Sequence, residues 1–134
     1  MSSKGEELFL AHVIRGGVEV PQMEYKFLDQ RRFRFDFAWV RKKIAVEVEG
    51  GVWVGGRHTR GGGYSRDLEK YNLATLHGWK VYRFTTQDVT THRAIAFITV
   101  VMNNNKEREQ SYENISRGFM FADSVQSSEH EAKD

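Results

Sequence analysis

The chain contains no cysteine, which excludes a disulfide frame, a thiol nucleophile and a thiolate zinc site. It has no long apolar run. The N-terminal stretch MSSKGEELFLAHVIRGG lacks such a run and carries acidic residues. That predicts neither a signal peptide nor a membrane span, and so an intracellular, cytoplasmic protein without a membrane partner. There is no large excess of either charge. A net charge of +2 does not identify a polyanion partner, so the placement of the charges matters more than their sum. Proline occurs once, at position 21. What remains is a 134-residue chain, 40% hydrophobic and 13% aromatic, suited to one domain with a real core.

Periodicity predicts an α/β fold. Glu6 to Arg15 places Leu8, Phe9, Leu10, Val13 and Ile14 at amphipathic-helix spacing before Gly16-Gly17 stops it. Gln22 to Trp39 reads as a hairpin. Met23, Tyr25 and Phe27 alternate with polar residues, and after the turn Leu28-Asp29-Gln30 the row Phe33, Phe35, Phe37 and Trp39 alternates with Arg32, Arg34, Asp36 and Ala38. That row predicts one aromatic core face. A second turn leads into KKIAVEVEGG, a strand with Ile44, Val46 and Val48 on one face and Ala45, Glu47 and Glu49 on the other. Residues 50–63 are half glycine. Tyr64 to His77 is helical, with Tyr64, Leu68, Tyr71 and Thr75 as the core stripe and Gly78 as the stop. Trp79 to Phe84 is a further strand. Thr85-Thr86-Gln87-Asp88 offers a helix cap before an apolar helix from Ala94 to Met102. The order is α-β-β-β-α-β-α, a central mixed sheet flanked by helices. Residues 1–121 are expected to form a single domain, in which the Phe119-Met120-Phe121 patch docks back, and 122–134 a disordered tail.

Two like charges on one face of an apolar strand require either water or a cation. Asp36 lies off the aromatic face of its strand, and Glu47 and Glu49 off the aliphatic face of the next. A short turn makes the two strands antiparallel neighbours about 4.8 Å apart, which lets Asp36 and Glu47 share one ion. Glu24 has the parity to join them. Converging carboxylates, with no cysteine and no paired-histidine spacing, suit a hard cation, Mg²⁺ or Mn²⁺, and metal-assisted phosphodiester cleavage. A solvated polar face with salt bridges to Arg32, Arg34 and Lys43 would produce the same pattern.

The ordered blocks FRFDFAW, AVEVEGG, RHTRG, DLEKYN and GWKVYRFT, spanning about residues 20 to 90, resemble the small PD-(D/E)XK nucleases. The similarity is to the branch related to the very-short-patch-repair (Vsr-like) endonucleases, common in phages and prophages. The resemblance implies a restriction-endonuclease-like core and Mg²⁺-dependent DNA cleavage. It implies Asp36, Glu47, Val48 and Glu24 at the metal, with Glu6 or Glu7 of the first helix as other matches to the N-terminal acid. It also implies a catalytic set of Asp36, Glu47, Glu49 and Lys70. Glu49 stands where the superfamily usually has lysine, and Lys70 is the candidate migrated lysine. That departure leaves open a non-cleaving DNA-binding module. A structure-selective, junction-resolving nuclease is a further alternative.

The glycine-rich loop lacks a Gly-Lys-Ser/Thr end and is therefore no Walker A loop. It carries Arg57, His58 and Arg60 beside Trp53, which suits contact with phosphates and bases. An ordinary solvated loop has the same composition. Asp67, Lys70, Ala74 and His77 form the second face of the following helix, where Asp67 and Lys70 are also spaced as a plain ion pair. Arg31, Arg32, Arg34, Arg41, Lys42 and Lys43 cluster at turns and strand edges. Arg34, Arg57, His58, Arg60 and Arg66 are the candidate DNA contacts. A homodimer is compatible with one site cutting one strand.

Overall fold

The computed structural model describes residues 2–50 and 62–131. The elements run α1 (Lys4–Arg15), β1 (Gln22–Lys26), β2 (Arg34–Trp39), β3 (Ile44–Glu49), α2 (Gly62–Leu76), β4 (Lys80–Thr85), α3 (Thr86–Thr90) and α4 (Arg93–Glu131). The fold is α/β, with a four-stranded sheet in the order β1-β2-β3-β4. The first two pairings are antiparallel and β3–β4 is parallel. Parallel neighbours need a crossover connection, and α2 supplies it.

The local signals are those the sequence carries. Ser3 caps α1 in a capping box with Glu6. Gly17 ends that helix with a φ of 69°, and Gly78 ends α2 with a φ of 84°. Thr85 and Asp88 form a second capping box, which opens the short α3 rather than the long helix after it.

Helices cover both faces of the sheet. On one, Phe9 of α1 packs edge-on against Phe37 with ring centroids 5.0 Å apart. Phe97 of α4 sits by Tyr82 and Phe84 of β4. On the other, Phe35, Ala38, Ala45, Ala74 and Trp79 form a buried cluster joined by Tyr25 and Phe27. β3 is therefore covered on both sides, and all its residues except Glu49 are buried. The face bearing Glu47, for which the sequence left water or a cation as the alternatives, lies beneath α2.

The expected single aromatic row is split. Phe35 packs on Phe27 and Trp79 of the α2 face, whereas Phe37 meets Phe9 on the α1 face. Alternation breaks at Asp36. The break coincides with Glu24, whose φ of 50° is left-handed, and the β1–β2 register has no pair at Glu24 and Asp36. The left-handed residue turns β1 at that level, and Asp36 of β2 is left without the ladder pair that would keep its strand in regular alternation.

The stripe expected for α2 is also displaced. Leu68 is half exposed and Thr75 exposed, while Ala74 is fully buried and Lys70 and Tyr71 are turned inward. Polar groups are tolerated on that face because Glu47 waits opposite them on β3.

The chain separates into two compact units, one ending at Ile98 and one beginning at Thr99. The helix α4, which enters the second unit, runs to Glu131. The segment has no proline, and its polar residues include many good helix formers. The side chains of Phe119, Met120 and Phe121 lie outside the described residues. No helix among the described residues is long and apolar enough to cross a membrane.

Candidate metal centre and its polar network

The turnover of the β1–β2 hairpin builds an acidic cluster. Glu6 stands in the first turn of α1, Glu24 at the left-handed position of β1 and Asp36 at the break in β2. Each offers a carboxylate oxygen within 4.8 Å of the others, and they are the group of metal-ligating type that converges among the described residues. Glu6 is 8% exposed and Asp36 half-buried, while Glu24 is exposed. The Ser3 amide donates to Glu6 Oε2 at 2.5 Å, so the capping box that starts α1 also orients this acid. The Val48 amide donates to Asp36 Oδ2 at 2.8 Å, taking the place of a ladder bond where the strands part.

Asp36 is pushed up to about 7. Burial is the main cause. The Val48 amide opposes it, while a hydrogen bond shared with Glu6 and the charges of Glu6 and Glu47 raise it further. Three acids crowded around one half-buried point carry more negative charge than their surroundings neutralise. A hard cation would relieve that excess, and an all-oxygen donor set is of the kind that Mg²⁺ or Mn²⁺ takes.

Glu47 is near enough for its charge to act on Asp36, yet its own contacts lie on the α2 face. Lys70 Nζ donates to Glu47 Oε1 and the Tyr71 hydroxyl to Oε2. The side chains of Lys70 and Glu47 are 13% and 9% exposed. Burial, and then the hydrogen bond to Glu47, raise Tyr71 above the ordinary phenol range and keep it protonated. Lys70 also lies over the Phe35 and Tyr71 rings. Glu49 does not join the acidic cluster; it is paired with Arg83 at the exposed end of β3. The two like charges of that strand are thus each given a cation, one from α2 and one from β4.

The remaining candidates are scattered. Val48 contributes its amide to Asp36. Glu7 is exposed on α1. Arg34 is exposed at the start of β2, opposite Lys26. Arg66, in the first turns of α2, lines an open depression with Arg32, Phe33, Gly63, Asp67 and Lys70. Arg57, His58 and Arg60, together with Trp53, lie outside the described residues. Tyr71, which the periodicity places on the apolar stripe, gives its hydroxyl to Glu47 on a strand distant in sequence, a contact that no local pattern marks.

No family model matches the chain, and no curated protein matches its sequence. Among solved structures, the catalytic domain of the homing endonuclease I-Bth0305I matches with a TM-score of 0.59. The match covers 78% of this chain and 98% of that domain at 15% identity. At that identity the likeness concerns the fold: the sheet and its flanking helices are arranged as in that domain.

Proposed function

We propose that this protein is a metal-dependent DNA endonuclease of the PD-(D/E)XK type, hydrolysing phosphodiester bonds with Mg²⁺ or Mn²⁺. The observation that carries the proposal is the convergence of Glu6, Glu24 and Asp36, on a fold shared with an endonuclease catalytic domain. The three carboxylates would hold the ion. When bound, it would polarise a phosphoryl oxygen and bring the pKa of an attacking water toward neutrality.

The chain's own groups would do the rest. The Val48 amide fixes Asp36 Oδ2, and an Asp36 carboxylate oxygen lies within reach of Glu6 and Glu24. The Ser3 amide holds Glu6 while α1 is in place. Lys70 brings positive charge next to Glu47, where a backbone phosphate would add negative charge. Exposed Arg32, Arg34 and Arg66 would bind flanking phosphates, each contact releasing counterions.

The test is nicking of supercoiled plasmid in Mg²⁺ or Mn²⁺ against EDTA, with Asp36→Ala as control. The proposal expects metal-dependent nicking that Asp36→Ala abolishes. DNA binding without cleavage in any metal would leave a DNA-binding module on a nuclease fold.

A further inference from the structure

Glu47 is held by two consecutive residues of one helix. Lys70 reaches Oε1 and Tyr71 reaches Oε2, so each carboxylate oxygen has its own donor. One donor would leave the carboxylate free to rotate about its terminal torsion, whose well is broad. Two donors on different oxygens fix the plane.

Tyr71 is itself held in place. The Arg83 guanidinium lies 4.4 Å from its ring centroid and Lys70 Nζ lies 5.4 Å from it. Arg83 is anchored in turn by Glu49. Strand β3 thus ends in a connected path, Glu47 to Tyr71 to Arg83 to Glu49, that spans the position where the resembled family carries lysine.

We infer that Tyr71 is a positioning residue, whose hydroxyl, under the Arg83 guanidinium, sets the orientation of the Glu47 carboxylate beside the metal centre. The inference rests on the nuclease reading above. It also gives Glu49 an indirect role, holding Arg83 over the ring rather than contacting the ion. Tyr71 touches none of the three acids; besides the Lys70 ammonium beside its ring, it acts through Glu47, whose following peptide amide, that of Val48, holds Asp36. Outer-shell partners of this kind typically change metal affinity or rate about 10- to 100-fold when removed.

Tyr71→Phe tests this, because it keeps the ring beneath Arg83 and removes only the hydroxyl. Two quantities are measured on the full chain: the Mn²⁺ titration of the melting temperature, and the kcat and KM of plasmid nicking across Mn²⁺ concentrations. The expected result is a roughly tenfold rise in the Mn²⁺ concentration for half-saturation and a roughly tenfold fall in kcat, with KM for DNA unchanged. Arg83→Lys, which loses the flat stacking group, should fall between Tyr71→Phe and wild type. Wild-type kcat and Mn²⁺ half-saturation in Tyr71→Phe would overturn the inference while leaving the nuclease reading intact. So would a loss fully restored by cooling, which would mark the hydroxyl as a stability contact only. A wild-type protein that neither nicks nor shifts its melting temperature with Mn²⁺ would remove both.

Discussion

Asp36 holds a proton at a pH where an exposed aspartate has lost it, and this couples folding, pH and metal. Its folded pKa of about 7 stands above the ordinary 3.8. Between those values the folded state binds more protons than the unfolded one, so stability falls as pH rises through the window and levels off above it. In EDTA, the melting temperature should therefore drop from pH 5 to pH 8. Mg²⁺ should shrink that drop, because the ion replaces the proton. Asp36→Asn should flatten the profile, since a neutral amide oxygen can still accept the Val48 amide. A steep profile retained in Asp36→Asn would locate the titration elsewhere. The two glutamates of β3 differ in the same physical terms. Glu47→Ala strands a nearly buried Lys70 and should cost about 3 kcal/mol or more. Glu49→Ala breaks a pair whose partners are both 45% exposed and should cost about 1 kcal/mol at most. Denaturant titration of both variants checks the ranking.

At the level of elements, the position of α1 decides whether Glu6 meets Asp36. Gly5 lets the helix start close against the sheet: a Cβ there would lie 3.1 Å from Val48 Cγ1 and 3.2 Å from Thr86 Oγ1. Gly5→Ala gains about 1 kcal/mol in helix propensity and loses about 1–3 kcal/mol to overpacking. Net stability should change little or fall slightly, while α1 is pushed outward and carries Glu6 with it. The expected signature is a weakened Mn²⁺ shift in melting temperature, out of proportion to the change in stability. An unaltered metal shift would mean that α1 is not what places the acid.

The element pattern was legible because short-range rules govern it. Ile44–Glu49 was read from its alternation, and the stops at Gly17 and Gly78 from glycine's freedom at positive φ. The face assignments were not legible beyond Asp36. Alternation is a valid guide only while the strand stays extended, and nothing local marks Glu24 as left-handed. The inward turn of Lys70 and Tyr71 was hidden for a related reason: a helix buries polar residues when the sheet beneath offers them a partner, and that partner is 23 or 24 residues away in sequence.

At the scale of the molecule, every described member of the candidate site belongs to the unit that ends at Ile98. Within that unit the strand pairings differ in what they demand of the chain. β1–β2 and β2–β3 join through short connections, with Trp39 beside Ile44. β3–β4 is parallel, and Ile44 must find Lys80 across the whole α2 crossover. Closing so long a loop costs entropy before any contact rewards it, which slows such pairings. The folding order follows: the β1–β3 meander condenses first, and β4 with α2 docks late. The Glu47–Lys70 and Glu49–Arg83 pairs then belong to the final stage of folding. Arg83→Ala should leave the refolding limb of a chevron nearly untouched and steepen the loss on the unfolding side, raising the unfolding rate. The polar half of the site would be the last part of the protein to form and the first to come apart.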